Sequence, residues 1–407
     1  MEASQEIELE GHIIDSGIMT SVFDRIMDMG GNFEVTTFEI GKKKTDSSFA
    51  SLIVRTEKPE ELNAILSEIH RFGARILIRE NINLVPAEGD KIVPQGFYST
   101  TNHPTFVNFQ GNTLTVQDIE MDCLIVINPA KHEAQCIPMA KLKTGDLVVV
   151  GERGVRITPP ERPRELSNFE FMHGNVSSER PTQTIIANIA KEIKEIKQKN
   201  GKIAIVGGPA IIHTGASPAL AKLIKNGFID TVFAGNALAT HDIEYTLYGT
   251  SLGMDILTGK PTVGGHKNHI YAISRIIKAG SIRNAVNTGI VNSGIMYECI
   301  KNNVPYVLAG SIRDDGPLPD VVTDTIVAQD KIREYVKDCS MVLMVATLLH
   351  SIAVGNCLPS YVKTICVDIN PSSVTKLMDR GTMQAIGVVS DAGTFLPILA
   401  KELGIEL

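Results

Sequence analysis

The sequence predicts an α/β protein in three parts. A ferredoxin-like βαββαβ module is expected over residues 1–85, a small β-rich module over 86–160, and a doubly wound, parallel, Rossmann-like sheet over 161–407. Three observations predict this. In the first eighty residues the apolar pattern switches between strand and helix period in the order βαββαβ. From residue 81 to 157 short β-rich runs alternate with turn signals and helical periodicity is absent. From Ile203 onward, short, wholly apolar runs alternate with helix-length stretches, the mark of strands buried on both faces of a parallel sheet.

Taken in order, Glu6–Ile14 reads as a strand that breaks at Asp15-Ser16-Gly17. Met19, Val22, Phe23, Ile26 and Met27 recur at helical spacing, and Gly30-Gly31 ends the pattern as a C-cap does. Two strands follow, Phe33–Gly41 and Ser48–Arg55, joined by the basic turn Lys42-Lys43-Lys44. That turn suits a solvated hairpin tip or an anion site. A second helix places Leu62, Ile65, Leu66 and Ile69 on one face, stops at Phe72-Gly73, and leads into a strand at Arg75–Arg79. Strands Thr105–Phe109, Thr113–Val116, Cys123–Ile127 and Asp146–Val150 make the middle module, and the stiff run Pro159–Pro163 is the linker after it.

Pro181 opens a helix that ends at Asn200-Gly201. The strands expected next are Ile203–Val206, Thr231–Ala234, Ala285–Asn287, Tyr306–Ala309, Met341–Val345 and Ile365–Asp368. Ligands of such sheets bind at the carboxyl ends of the strands. Those ends read Gly207-Gly208-Pro209, Ala234-Gly235-Asn236-Ala237, Asn287-Thr288-Gly289, Ala309-Gly310-Ser311 with Asp314-Asp315-Gly316, Ala346 to His350, and Asp368-Ile369-Asn370, with Ser390-Asp391-Ala392-Gly393 beyond. Small residues let the backbone approach a ligand, and helix N-termini hold phosphates. Asp368 is placed to accept hydrogen bonds from ribose hydroxyls, which favours NAD over NADP. The G-x-G-x-x-G fingerprint is absent, because Gly207-Gly208-Pro209 lacks its spacing.

Composition removes several classes. Lys and Arg number 39 against 46 Asp and Glu, a formal charge of −7, which disfavours a nucleic-acid binder. The N-terminus lacks a signal-peptide layout, and the longest apolar run, Met341–Val354, is too short to span a bilayer. Six dispersed cysteines fit reduced thiols in the cytoplasm. No metal is expected, since His266 and His269 have no third ligand close in sequence. The turn Gly264–His269 suits a capped helix start or a site, and His213 suits a structural or a catalytic place. Arg313-Asp314-Asp315 suits an amino-acid clamp or a solvated loop.

Several long runs resemble known families. Gly11–Gly17, Gly30–Val35 and Gly41–Asp46 resemble the conserved domain of bifunctional lysine–oxoglutarate reductase/saccharopine dehydrogenase. Val206–Ala210, Ala234–Asp242 and Gly310–Pro317 extend the likeness, and together they resemble the alternative, NAD-dependent ornithine cyclodeaminases, also found fused to an arginine dihydrolase. The dihydrolase region has no counterpart here. The resemblance implies conversion of L-ornithine to L-proline and ammonia with NAD as a recycled hydride carrier. It implies NAD contacts at Asn236, Ala237, Asp314, Ala346, Thr347, Leu348, Leu349, His350, Asp368 and Asp391. Asp315, Lys267 and Asn292 are the expected catalytic residues, chosen by loop position. A homo-oligomer is expected, because ferredoxin-like modules often pair edge to edge. The alternatives are another NAD-dependent amino-acid enzyme of the saccharopine type, an amino-acid/NAD sensor without turnover, and a transferase of the deoxyhypusine synthase type.

Overall fold

The computed structural model describes the chain except residues 1–2, 15, 43–45, 71, 77–80, 159–181, 257, 259, 261, 263–264, 315, 381–384 and 407. Two compact units result, Met1–His173 and Gly174–Leu407. The lysine turn at 43–44 and the linker at 159–163 lie outside the described residues.

The first unit opens with β1 (Ala3–Gly11), α1 (Ile18–Asp28), β2 (Asn32–Glu39), β3 (Ser48–Thr56), α2 (Pro59–His70) and β4 (Arg75–Ile76). They form an antiparallel sheet in the order β2-β3-β1-β4, the arrangement that the βαββαβ pattern predicts. Ile7 and Leu9 in β1, with Ala50, Leu52 and Val54 in β3, alternate as its buried positions, as do Val22, Ile26, Ile65 and Ile69 on the two helices. Strand β1 begins at Ala3 rather than Glu6 because β3 runs to Thr56, and Ala3 pairs with it although its neighbours carry no apolar pattern.

Next come β5 (Asn83–Pro86), β6 (Thr105–Phe109), β7 (Asn112–Gln117), β8 (Leu124–Asn128), β9 (Glu133–Ile137), β10 (Leu147–Val150) and β11 (Val155–Ile157). Their sheet runs β11-β6-β7-β9-β8-β10-β5 around a core of Val107, Phe109, Ile125, Ile127 and Val149. Strand β9 escapes the sequence reading because its inward residues, Ala134 and Cys136, are small.

The second unit starts with α3 (Thr182–Gln198), β12 (Lys202–Gly207), α4 (Ala210–His213), α5 (Ser217–Lys225), β13 (Thr231–Gly235) and α6 (Asn236–Tyr248). A hairpin, β14 (Thr250–Ser251) and β15 (Met254–Asp255), precedes α7 (Asn268–Ala279), α8 (Ile282–Asn287) and α9 (Ile295–Lys301). Then follow β16 (Tyr306–Ala309), β17 (Val321–Val322), α10 (Thr325–Val336), β18 (Cys339–Val345), α11 (Leu348–Asn356), β19 (Lys363–Asp368), α12 (Pro371–Arg380), β20 (Ala385–Val389) and α13 (Ala392–Glu402). The sheet order is β17-β16-β13-β12-β18-β19-β20, parallel throughout. The chain winds outward from β12 through β13 to β17, returns to β18 on the other side, and winds outward again. The order therefore reverses between β12 and β18, where ligand clefts form in such sheets.

Successive strand residues enter opposite cores. Ile203, Ile205 and Leu343 meet α3, α5 and α13, whereas Ala204, Val206 and Met344 meet α10, α11 and α12. One expected strand is corrected: Ala285–Asn287 belongs to α8. The Ser281 side chain accepts from the Asn284 N–H and caps a turn whose Ile282, Ala285 and Val286 are buried at helical spacing. All six cysteines are buried and none forms a disulfide.

One carboxylate ties three helices together. Asp242, fully buried on α6, accepts from Ser217 Oγ at 2.8 Å and from the N–H groups of Ile295 (2.9 Å) and Met296 (2.8 Å) at the start of α9. Burial pushes its carboxyl pKa up against those three hydrogen bonds. Replacing Asp242 by Ala strands two helix-end donors, so we expect a loss of about 3 kcal/mol in urea unfolding. Unfolding within about 0.5 kcal/mol of wild type would contradict the clamp.

Candidate functional site

At the reversal point the ends of β12 and β18 touch. The Gly208 N–H donates to Val345 O at 3.0 Å, and any Cβ at position 208 would collide with the Ala346 carbonyl. Ala346 itself adopts a left-handed φ of 54°, which is strained for a residue with a side chain. Thr347 then stands at the N-cap of α11 without capping it, its hydroxyl lying 3.4 Å from His350 Nδ1. The start of α6, at Gly235, likewise has no side-chain cap. By contrast Ser281, Asp324 and Asp391 cap α8, α10 and α13. A Cβ on Gly235 would lie 2.8 Å from His350 Cε1, so the first turns of α6 and α11 stand side by side. Two uncapped helix N-termini facing one cleft are suited to phosphate oxygens. Burial lowers the His350 pKa against the opposing charge of Asp314, which keeps the imidazole neutral near pH 7.

Other expected residues surround that cleft. Asn236, buried at the head of α6, accepts from the Leu318 N–H at 3.0 Å and so fixes the loop after β16. Ala237 beside it is half-buried. Asp314 accepts from the Ser311 N–H at 2.9 Å. At the end of β19, Asp368 accepts from the Asn370 N–H at 2.8 Å through one oxygen, and no described residue bonds the other. Leu348 is half-buried and Leu349 exposed. Asp391 holds the Gly393 N–H at 2.6 Å, and Gly393 packs on the Thr214 carbonyl beyond α4.

Of the three residues expected to be catalytic, Lys267 and Asn292 are among the described residues. Asp315 lies outside the described residues. Lys267 is exposed at the N-cap of α7. Asn292 follows α8 rather than a strand, and Thr246 Oγ1 donates to the adjacent Ser293 carbonyl at 3.0 Å. Since Thr246 lies ten residues along α6 from Asn236, the Asn292 loop stands about 15 Å of helix rise from the cleft.

The sequence reading missed a buried polar network on α6. Every residue from Leu238 to Glu244 is buried, including His241, Asp242 and Glu244. Glu244 accepts from Thr250 Oγ1 at 2.9 Å, from the N–H groups of Gly253 (3.2 Å) and Leu252 (3.3 Å), and bonds His241 Nδ1 at 2.8 Å. Burial alone would raise the Glu244 pKa, but these hydrogen bonds outweigh it and hold the carboxyl below its usual value. His213 bonds Ser251 Oγ through Nδ1 at 2.6 Å, and its ring meets that of His241 edge-on at 4.9 Å. Asn268 Nδ2 donates to Thr250 Oγ1 at 2.8 Å, which places Lys267 at the rim of the network. Three ionisable residues within four positions of a helix lacking an apolar stripe were the available signal. Among the described residues no group of three or more metal-ligating side chains is placed to hold an ion.

Comparison with known proteins divides the chain into three matched stretches. The LOR/SDH bifunctional enzyme conserved region matches residues 4–103. The first C-terminal region of ArgZ-like arginine dihydrolases matches 104–186, and their C-terminal Rossmann fold matches 187–399. The ornithine cyclodeaminase of Archaeoglobus fulgidus is 58% identical over 396 residues, 97% of either chain. The bifunctional arginine dihydrolase/ornithine cyclodeaminase AgrE of Nostoc sp. is 41% identical over 98% of this chain and 58% of its own. A solved ternary complex of AgrE with ornithine and NAD+ is similar over 99% of this chain and 58% of that one, with a TM-score of 0.54 and 40% identity.

Two outcomes follow from the geometry. Gly208→Ala forces the β12 and β18 loops apart, and we expect a loss of about 2 kcal/mol in urea unfolding. An unchanged midpoint would refute the close approach. Burial and the neighbouring His241 lower the His213 pKa from 6.5 to about 4, against the pull of Glu244. The folded chain therefore binds this proton later than the unfolded chain, and the associated stability, complete above pH 6.5, is lost as pH falls toward 4. His213→Gln should lose less stability than wild type between about pH 7 and about pH 4.5 in urea titrations, and an equal loss would contradict this.

Proposed function

The chain belongs to the ArgZ-like ornithine cyclodeaminase family, and on that premise we propose that it converts L-ornithine to L-proline and ammonia with NAD+ as a recycled carrier. The observation that carries the reading is the pair of uncapped helix N-termini at the strand reversal, with an Asp368 oxygen that no described residue bonds two strands from β12. Support comes from the near-full-length likeness to ornithine cyclodeaminases and from AgrE having been solved with ornithine and NAD+.

The donor set fits a dinucleotide. Amides opening α6 and α11 suit the pyrophosphate, with Asn236, Ala237 and Ala346–His350 forming the wall around it. Asp368 accepts from ribose hydroxyls and repels a 2′-phosphate, so NAD is preferred to NADP. Asp314 and Asp391 hold the flanking loops in place. When bound, the nicotinamide supplies an acceptor for hydride from the substrate and a donor for its return. Burial, which lowers the His350 pKa, disfavours a positive charge in that wall. Lys267 is a partner for the substrate carboxylate and Asp315 for its distal ammonium.

The reading extends to setting. Buried cysteines that form no disulfide suit the cytoplasm, and among the described residues no helix is long and apolar enough to cross a membrane. Edge strand β2 exposes Val35 and Phe38, a surface on which two copies of the chain can pair as a homo-oligomer.

The test is a product assay with L-ornithine and substoichiometric NAD+. We expect many prolines per NAD, ammonia equal to proline, and no net NADH. Accumulating NADH would indicate an ordinary dehydrogenase, and no product would leave an amino-acid sensor. Asp368→Ala should weaken NAD+ binding about tenfold in calorimetry, the loss of one charge-assisted hydrogen bond. Unchanged affinity would remove Asp368 from the ribose site.

A further inference from the structure

We propose that His241, oriented by Glu244, takes a proton from the substrate ammonium and returns it to the departing amine. This rests on the cyclodeaminase reading and assigns its proton chemistry.

The reaction sets the requirement. Ornithine carries two ammonium groups and one carboxylate, while its products are zwitterionic proline and ammonium. No proton is gained or lost overall, yet an ammonium cannot release hydride until it is deprotonated. The δ-ammonium must likewise lose a proton before its nitrogen can attack, so two protons are held between the first step and the last: one on a base near Cα, which returns it to the departing nitrogen, and one released to water, which comes back from water on the ring nitrogen. The N–H bond of the ammonium breaks as an N–H bond on the base forms, and the transfer is reversed at the leaving nitrogen.

His241 and Glu244 have the geometry for this. Glu244 is held ionised, and a carboxylate only accepts, so the 2.8 Å contact requires that His241 donate through Nδ1. The uncharged ring then carries its lone pair on Nε2, to which no described residue bonds. On protonation the carboxylate stabilises the imidazolium. His241 lies five residues along α6 from Asn236, about 7.5 Å of rise beyond the cleft. His213, edge-on at 4.9 Å, ends the short helix that follows Gly207-Gly208-Pro209. The pair thus lies on α4 and α6, the helices that follow the carboxyl ends of β12 and β13.

Structural duty alone does not account for the pair. Two residues away, Asp242 clamps helices using a serine and two backbone N–H groups, with no ionisable partner. Glu244 clamps the β14–β15 hairpin in the same manner, through Thr250, Leu252 and Gly253, but also bonds an imidazole. Among the described residues, the ionisable groups facing His241 are Glu244 on its own helix, His213 from α4 and His269 from α7, whose ring lies 6.2 Å away.

Proline formation by the full chain tests this. His241→Asn should lower kcat at least about a hundredfold while the calorimetric Kd for NAD+ stays within about threefold of wild type. Glu244→Gln removes a negative charge beside the imidazole, so the acidic limb of kcat/KM should move to lower pH, a change that a hairpin clamp alone would not produce. Added imidazole should restore part of the turnover of His241→Gly. An unmoved limb in Glu244→Gln, or kcat retained in His241→Asn, overturns the proposal, and the first result decides if His241 variants fail to fold. A wild-type chain that makes no proline overturns the cyclodeaminase reading and this proposal together. An active wild type with unaltered variants overturns this proposal alone.

Discussion

The contact between Gly208 and the Ala346 carbonyl sets the geometry on which the C-terminal unit depends. Adjacent parallel strands lie just under 5 Å apart, and where the winding reverses their following loops leave toward opposite faces. Here a residue without a side chain lets the loop after β12 pass under the carbonyl at the end of β18. Ala346 accommodates the approach by entering the left-handed region, and α11 begins two residues later. The turn that strains Ala346 therefore also aims the first amides of α11 into the cleft.

Helix α6 works against the ordinary rule for buried helices. It is enclosed from Leu238 to Glu244, yet three of those seven residues are ionisable. Such burial is tolerable because each carboxylate accepts at least three hydrogen bonds. Asp242 holds the outer helices to α6, and Glu244 holds a hairpin whose tip, Leu252, has a left-handed φ of 53°. The same helix thereby organises the scaffold at one carboxylate and a candidate reactive group at the other.

How much of this was legible follows from what each pattern encodes. The βαββαβ order and five of the parallel strands could be read because burial on one or both faces leaves a periodic or continuous apolar trace. Ala285–Asn287 misled because three small or apolar residues suit a short helix as well as a strand, and the Ser281 cap that decides between them lies upstream. The strand-end loops pointed to the cleft, since glycine and asparagine at those positions reflect close backbone approach. The His241–Glu244 pair was not legible as a site, because His213, Ser251 and Thr250 join it only through tertiary packing. Asn292 was chosen on the premise of a strand end that the helix α8 removes.

The thiols give the molecule its own reporters. All six are buried and none forms a disulfide, with Cys123 and Cys136 in the β-rich module and Cys299, Cys339, Cys357 and Cys366 in the parallel-sheet unit. A maleimide or a disulfide reagent can reach them only when the surrounding structure opens. Alkylation rates resolved by mass spectrometry would then measure the opening of each unit separately, in an unmodified chain and without an introduced label. The Cys366 thiol, pushed up to about 12 by burial, is almost wholly protonated at neutral pH, so it resists reagents until β19 is exposed to solvent.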